Sequence, residues 1–245
     1  MTWPTAPGDR HRRCGAEAGG DPAGSGAQEC GHFQEYHPEI ARRNRDAILL
    51  IVSNPVDVLT WRRGSCPATR PTGVLGSGTV LDTARFKYIL GEHLGVDPRN
   101  VHARIIGEHG DSEIAAWSTA NISGIPVNDF CELRAISNTT SRCSASPRRE
   151  EQRLRDHREE ESHLLRHRHR PYKDHKAILG DEHSVLTVSA MLRGEYGQRD
   201  VYTGVPCIIN QNGVQRILPL SLMEGELEKL EQSCKVLRES FEGIF

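Results

Sequence analysis

The segment Ile105-Ile106-Gly107-Glu108-His109-Gly110-Asp111-Ser112-Glu113 sets one imidazole between glycines and carboxylates, directly after β-branched residues. A strand that delivers a histidine into a tight turn suits a general acid/base, because glycines let the backbone approach a substrate closely. A surface turn that contains a histidine accounts for the same residues. Upstream, Asp82 and Arg85 stand three residues apart, so a helix places both on one face. A planar guanidinium there grips a carboxylate through two parallel hydrogen bonds, or forms an ordinary surface ion pair. Asn54 follows an apolar run, at the carboxyl edge where open α/β sheets hold their ligands.

Several elements must position these groups. Ala47 to Val52 is a short apolar run ended by Ser53-Asn54-Pro55, as expected of a buried parallel strand and its turn. Val80 to Leu94 reads as a helix with Leu81, Ala84, Tyr88 and Leu94 on an apolar stripe and Gly95 ending it. Val101 to Ile106 reads as one strand. Ser184 to Leu192 and Val205 to Ile209 read as antiparallel strands around the Gly194-Glu195-Tyr196-Gly197 turn. Glu224 to Phe241 carries Leu227, Leu230, Cys234, Leu237 and Phe241 at helical spacing. The order implies α/β followed by α+β.

Composition narrows the function classes. The chain of 245 residues is long enough for a substantial core, yet only 36% hydrophobic and 5% aromatic, thin for a compact α/β enzyme. A net charge of −2 argues against a chain-wide polyanion-binding role, so no nucleic-acid partner is expected. No apolar run is long enough to span a bilayer, and the N-terminus lacks the apolar core of a secretory signal. Seven cysteines fall in no paired ligand spacing, which points to a reducing, cytoplasmic setting without a metal site. Residues 1–31 hold almost no aliphatic side chains, and 137–175 is dominated by Arg, Glu and His. Five histidines between His157 and His175 alternate with arginines, whose charge opposes a cation, so a solvated, disordered insert is expected there.

Together, Gly76-Ser77-Gly78-Thr79-Val80-Leu81-Asp82-Thr83-Ala84-Arg85-Phe86 and the His109 turn resemble the L-lactate dehydrogenases of the lactate/malate dehydrogenase superfamily. The likeness continues through AILLIVSNPVDVLT (47–60), 73–134 and 176–245, about three fifths of the chain. It implies the remnant of a Rossmann-type parallel-sheet domain (1–73), followed by an α+β catalytic domain (74–245). It also implies NAD as cofactor and interconversion of lactate and pyruvate by hydride transfer. On this resemblance His109 is the proton shuttle, Asp82 the carboxylate that orients it, and Arg85 the cation for the substrate carboxylate. Asn54 contacts nicotinamide and substrate, with Val52, Ser53 and Ser77 near the cofactor. Lys87 and His102 occupy positions where bacterial relatives bind the allosteric effector fructose 1,6-bisphosphate. Lys87 replaces the usual arginine and loses its bidentate geometry. A cytoplasmic homo-oligomer, a tetramer, is implied as well.

The remainder departs from the family. No GxGxxG follows a strand, and the loop written in relatives as roughly QKPGETRLDL is absent, as is the segment ending in Gly-Ala-Thr-Tyr-Tyr. Codon degeneracy offers an explanation. Read one nucleotide later, the codons allowed for residues 29–38 permit N-V-A-I-F-K-S-I-I, an apolar stretch typical of the family. Shifting residues 15–29 and 156–176 likewise permits the missing loop and the Thr-Tyr-Tyr segment. The chain therefore reads as a lactate dehydrogenase frame broken by single-nucleotide slips, with poor solubility or partial disorder expected. Two alternatives stand beside lactate oxidation: a catalytically inactive remnant, and a dehydrogenase of malate or another 2-hydroxy acid.

Overall fold

The structure, a computed structural model, describes residues 43–44, 46–64, 70–137 and 170–244. The shifted readings of 15–38 and most of 156–176 lie outside these residues, as does the bulk of the 137–175 insert. The last residues of that insert, from Arg170, instead open a helix.

The apolar run at 47–52 forms β1 (Leu49–Ile51), which pairs in parallel with β2 (Val74–Gly76). A cis peptide joins Asn54 to Pro55, and helix α1 (Val56–Gly64) follows. After β2 comes α2 (Val80–Leu94), ended by Gly95 in the left-handed conformation at φ 61°. Short strands succeed it: β3 (Val101–His102), β4 (Ile105–Ile106), β5 (Ile114–Ala115), β6 (Asn121–Ile122) and β7 (Ile125–Pro126). Helices α3 (Val127–Ser137) and α4 (Arg170–Leu179) precede a meander of β8 (Ser184–Arg193), β9 (Arg199–Asn210) and β10 (Gly213–Ile217). Helix α5 (Glu224–Ile244) closes the described chain.

The main sheet has the order β1-β2-β8-β9-β10. Its first pair is parallel and the others antiparallel, with Gly76 opposite Ser189 where the two halves join. Strands from both sides of residue 73 thus share one mixed α/β sheet. Against it pack Ala177 of α4 and Leu230, Cys234, Leu237 and Phe241 of α5. These α5 residues recur at three and four positions, as the sequence predicts, while Leu227 at the helix start is 39% exposed. The ring of Phe241 stacks on Trp61 of α1 at 4.5 Å, tying the last helix to the first. Each of the leucine and phenylalanine side chains buried there contributes about 1.5–3 kcal/mol through removal of apolar surface from water.

Two expectations change in three dimensions. The run Val101 to Ile106 is not one strand. Its first half pairs with β6 and its second with β5, so the chain switches sheets at Ala103 and Arg104. The α2 stripe is also rotated. Phe86, Ile89, Leu90 and Leu94 are buried in a second apolar cluster with Val101, Ala115 and Ile122, whereas Tyr88 is exposed. The reason is that α2 must satisfy two faces at once, an apolar one toward β3–β7 and one that turns Asp82 inward.

Candidate active site

Three local structures converge on the His109 turn. β2 is followed by Ser77, whose N–H donates to the Ile51 carbonyl at 2.8 Å, so the turn into α2 is held against β1. Thr79 then fastens the start of α2: its N–H donates to the Thr187 carbonyl at 3.0 Å and its hydroxyl to the Ile105 carbonyl at 2.7 Å. Thr83, one turn on, accepts from the Ile105 N–H at 3.0 Å. The strand that delivers His109 is therefore locked to the helix that carries Asp82 and Arg85.

The turn itself depends on Gly107, which adopts φ 93°, a conformation side chains disfavour. It exchanges backbone hydrogen bonds with Gly204 of β9 at 2.9 and 2.8 Å. A side chain at Gly204 would begin 2.9 Å from the Gly107 carbonyl, so the close approach requires glycine there.

Beyond this turn, His109 Nδ1 lies 2.7 Å from Asp82 Oδ2. Arg85 Nη1 stands 3.9 Å from the other oxygen of the same carboxylate. The side chains of His109, Asp82 and Arg85 are only 9%, 4% and 13% exposed, so the trio sits largely out of water. Low local dielectric strengthens such interactions. The helical spacing that sets Asp82 and Arg85 on one face is thus realised, as a mostly buried pair rather than a surface one.

Other expected residues fall elsewhere. Val52 and Ser53 line a cleft of about 860 Å³ along β1, shared with Leu49, Ile51 and, from α4, His175 and Ile178. Neither His109 nor Asp82 lines it. Asn54 is exposed in the turn after β1. Ser77 is fully buried and its hydroxyl has no hydrogen-bond partner. Lys87 is half-buried on α2, and His102 is exposed on β3.

Four residues outside the sequence-based site also shape it. The His109 N–H donates to Asp57 Oδ2 at 2.8 Å, and the Glu108 N–H donates to Ser233 Oγ at 2.9 Å. Ser112 reaches both Glu108 and Ser233. Burial drives the Asp57 carboxyl up to about 6, against the opposing pull of Ser189 and of the His109 N–H. Ser189 lies close enough to favour the charged form, although Asp57 Oδ1 has no partner of ordinary hydrogen-bond geometry. A signal was present in the sequence: Asp57 interrupts the apolar run Val56–Leu59, and Ser233 interrupts the α5 stripe.

Comparison with known proteins gives the family. The model of the lactate/malate dehydrogenase, alpha/beta C-terminal domain, matches residues 79–142 and 171–245, which hold His109, Asp82 and Arg85. L-lactate dehydrogenase 1 of Clostridium acetobutylicum is 42% identical over 221 residues, covering 87% of this chain and 68% of its own length. The chain belongs to the L-lactate dehydrogenase family. L-lactate dehydrogenase of Thermoanaerobacterium saccharolyticum is 43% identical over 208 residues, with 84% of this chain and 66% of its own length covered. The ligand-bound crystal structure of minor L-lactate dehydrogenase from Enterococcus mundtii superposes with a TM-score of 0.80 at 32% identity, covering 94% of this chain and 74% of that one. The likeness extends past the three fifths marked by the motifs, and the chain spans about two thirds of the length of these curated relatives. Among the described residues, no helix is long and apolar enough to cross a membrane, and no group of three or more His, Cys, Asp or Glu could hold a metal ion.

Proposed function

We propose that this member of the L-lactate dehydrogenase family interconverts lactate and pyruvate, with His109 as the proton shuttle. The observation that carries the reading is the 2.7 Å bond between His109 Nδ1 and Asp82 Oδ2. It commits one ring nitrogen to the carboxylate and makes Nε2 the atom that exchanges a proton with substrate. As the alcohol is oxidised, Nε2 takes the hydroxyl proton; in reverse it returns that proton to the carbonyl oxygen. Asp82 stabilises the imidazolium formed in between. Arg85, beside the same carboxylate, supplies the cation for the substrate's carboxylate.

NAD, when bound, supplies the hydride chemistry. Val52 and Ser53 on an open cleft, with the orphaned Ser77 hydroxyl nearby in the fold, suit its nicotinamide end, and Asn54 contacts both cofactor and substrate. In this reading residues 1–73 form the cofactor side and 74–245 the substrate side of a cytoplasmic homotetramer. Lys87 and His102 then offer cations to fructose 1,6-bisphosphate as an allosteric effector.

The test is pyruvate-dependent oxidation of NADH by the full chain, followed by its loss of absorbance, with oxaloacetate as the malate-type control. Wild type turns over pyruvate in preference, and His109→Asn lowers the rate by about 10²–10⁴-fold. NADH oxidation that is indifferent to His109 would sink the reading. The inactive-remnant reading draws on the missing GxGxxG. It predicts no NADH fluorescence change on titration with the protein. Resequencing the coding DNA tests the broken-frame origin, since codons incompatible with the shifted readings exclude it.

A further inference from the structure

The His109 turn is gripped from two helices that supply none of the expected catalytic residues. On one side Ser233 of α5 accepts the Glu108 N–H at 2.9 Å, and Ser112 closes back on the same hydroxyl at 2.9 Å. On the other, Asp57 of α1 accepts the N–H of His109 itself at 2.8 Å. Asp57 is 2% exposed and its second oxygen has no hydrogen-bond partner. A buried carboxylate so sparsely satisfied is unfavourable for folding, and a neutral side chain could accept a single N–H with a smaller desolvation penalty. What the charge adds is strength. A hydrogen bond to a carboxylate is shorter and roughly twice as strong as a neutral one, and here it acts on the backbone that aims the imidazole.

We propose that Asp57 is a positioning residue for His109: its carboxylate holds the histidine's backbone N–H so that the ring stays seated on Asp82. Helix α1, immediately after the Asn54 turn, thereby sets the geometry of the proton shuttle. The groups whose charge reaches Asp57 are His109 and Glu108 from the turn, with the Ser189 hydroxyl facing it from β8; the Cys234 thiol of α5 is near enough for the Asp57 charge to raise it and stays neutral. Because burial raises its carboxyl to about 6, the anchor is fully charged well above that pH and loses its charge below it. The consequence for turnover rests on the dehydrogenase reading above, whereas the backbone contact can be measured without it.

The experiment compares wild type, Asp57→Ala and Asp57→Asn as full chains labelled with ¹⁵N-histidine and, separately, uniformly. In Asp57→Ala the His109 amide proton moves upfield and loses protection from exchange, while amides in β8 keep theirs. The kcat for pyruvate reduction falls about ten- to a hundred-fold with little change in KM, as expected of a misaimed group. Asp57→Asn, which keeps an acceptor oxygen but not the charge, recovers only part of both. In wild type the His109 amide shift steps near pH 6 through the Asp57 carboxyl, and Asp57→Asn, which has no carboxyl to titrate, loses that step. An unchanged His109 amide in Asp57→Ala overturns the proposal, as does a uniform loss of protection across the fold. If Asp57→Ala does not fold, the wild-type titration and Asp57→Asn decide, and the absence of that step from wild type, or its persistence in Asp57→Asn, overturns it. Absence of pyruvate turnover in wild type counts against the dehydrogenase reading and leaves the amide measurements to judge Asp57.

Discussion

At the scale of single residues, Asp57 shows stability and positioning pulling in opposite directions. Its carboxyl rises from 3.8 to about 6 on folding, chiefly through burial. A carboxyl raised in the folded state favours folding when protonated. That contribution is fully present below about pH 4 and is lost as pH rises through about 6. At neutral pH the ionised group therefore destabilises the fold by about 2–3 kcal/mol, the free-energy equivalent of that rise. Asp57→Asn is expected to raise the melting temperature at neutral pH, and the gain should shrink to nothing toward about pH 4. Calorimetry across that range checks the sign; a gain that is larger in acid than at neutral pH would contradict it. Asp82, by contrast, has both His109 and Arg85 against its two oxygens, so its burial is compensated by partners of opposite or induced charge.

At the scale of elements, the contact between the His109 turn and β9 is set by two glycines. A β-carbon on Gly204 would lie 2.7 Å from Thr79 Oγ1 and 2.9 Å from the Gly107 carbonyl, both groups held in place with little room to yield. Gly204→Ala should therefore push the turn off the sheet at a loss of about 1–3 kcal/mol. It should also lower turnover, because Thr79 links α2 to the strand before His109. A denaturant midpoint and a kcat both equal to wild type would refute this account. Much of the element pattern was legible in advance: the ends of α2, the antiparallel meander and the α5 stripe all follow from periodicity and turn residues. What periodicity missed has a physical cause. The strand at 101–106 looks continuous because β-branched residues stand at both of its ends, yet its two halves find different partners at β6 and β5. Helix α1 is short and its mixed face gives no clear stripe, although Asp57 on it turns out to touch the site.

At the scale of the molecule, α5 is the brace that connects the parts. Phe241 is 5% exposed and stacks on Trp61, and Ser233 on the same helix holds the turn before His109. Phe241→Ala should remove about 3–5 kcal/mol, a large share of the roughly 5–15 kcal/mol typical of a domain. It should loosen α1 against α5 as well, so kcat is expected to fall even at temperatures where the protein remains folded. A melt shifted downward with unchanged turnover would show that α5 stabilises the fold without supporting the site.

The amino-acid sequence alone determined ancestry and the chemical cast: His109, Asp82 and Arg85 are present at motif spacings, and the family follows from them. Spacing along a helix could bring Asp82 and Arg85 to one face because that relation is local. Only the tertiary structure decided that His109, 27 residues from Asp82, lies 2.7 Å from it in a nearly dry site. It alone brought Asp57 and Ser233, from 52 residues before His109 and 125 after Glu108, onto the same turn. Such contacts depend on how sheets and helices pack, and no local pattern of residues encodes them.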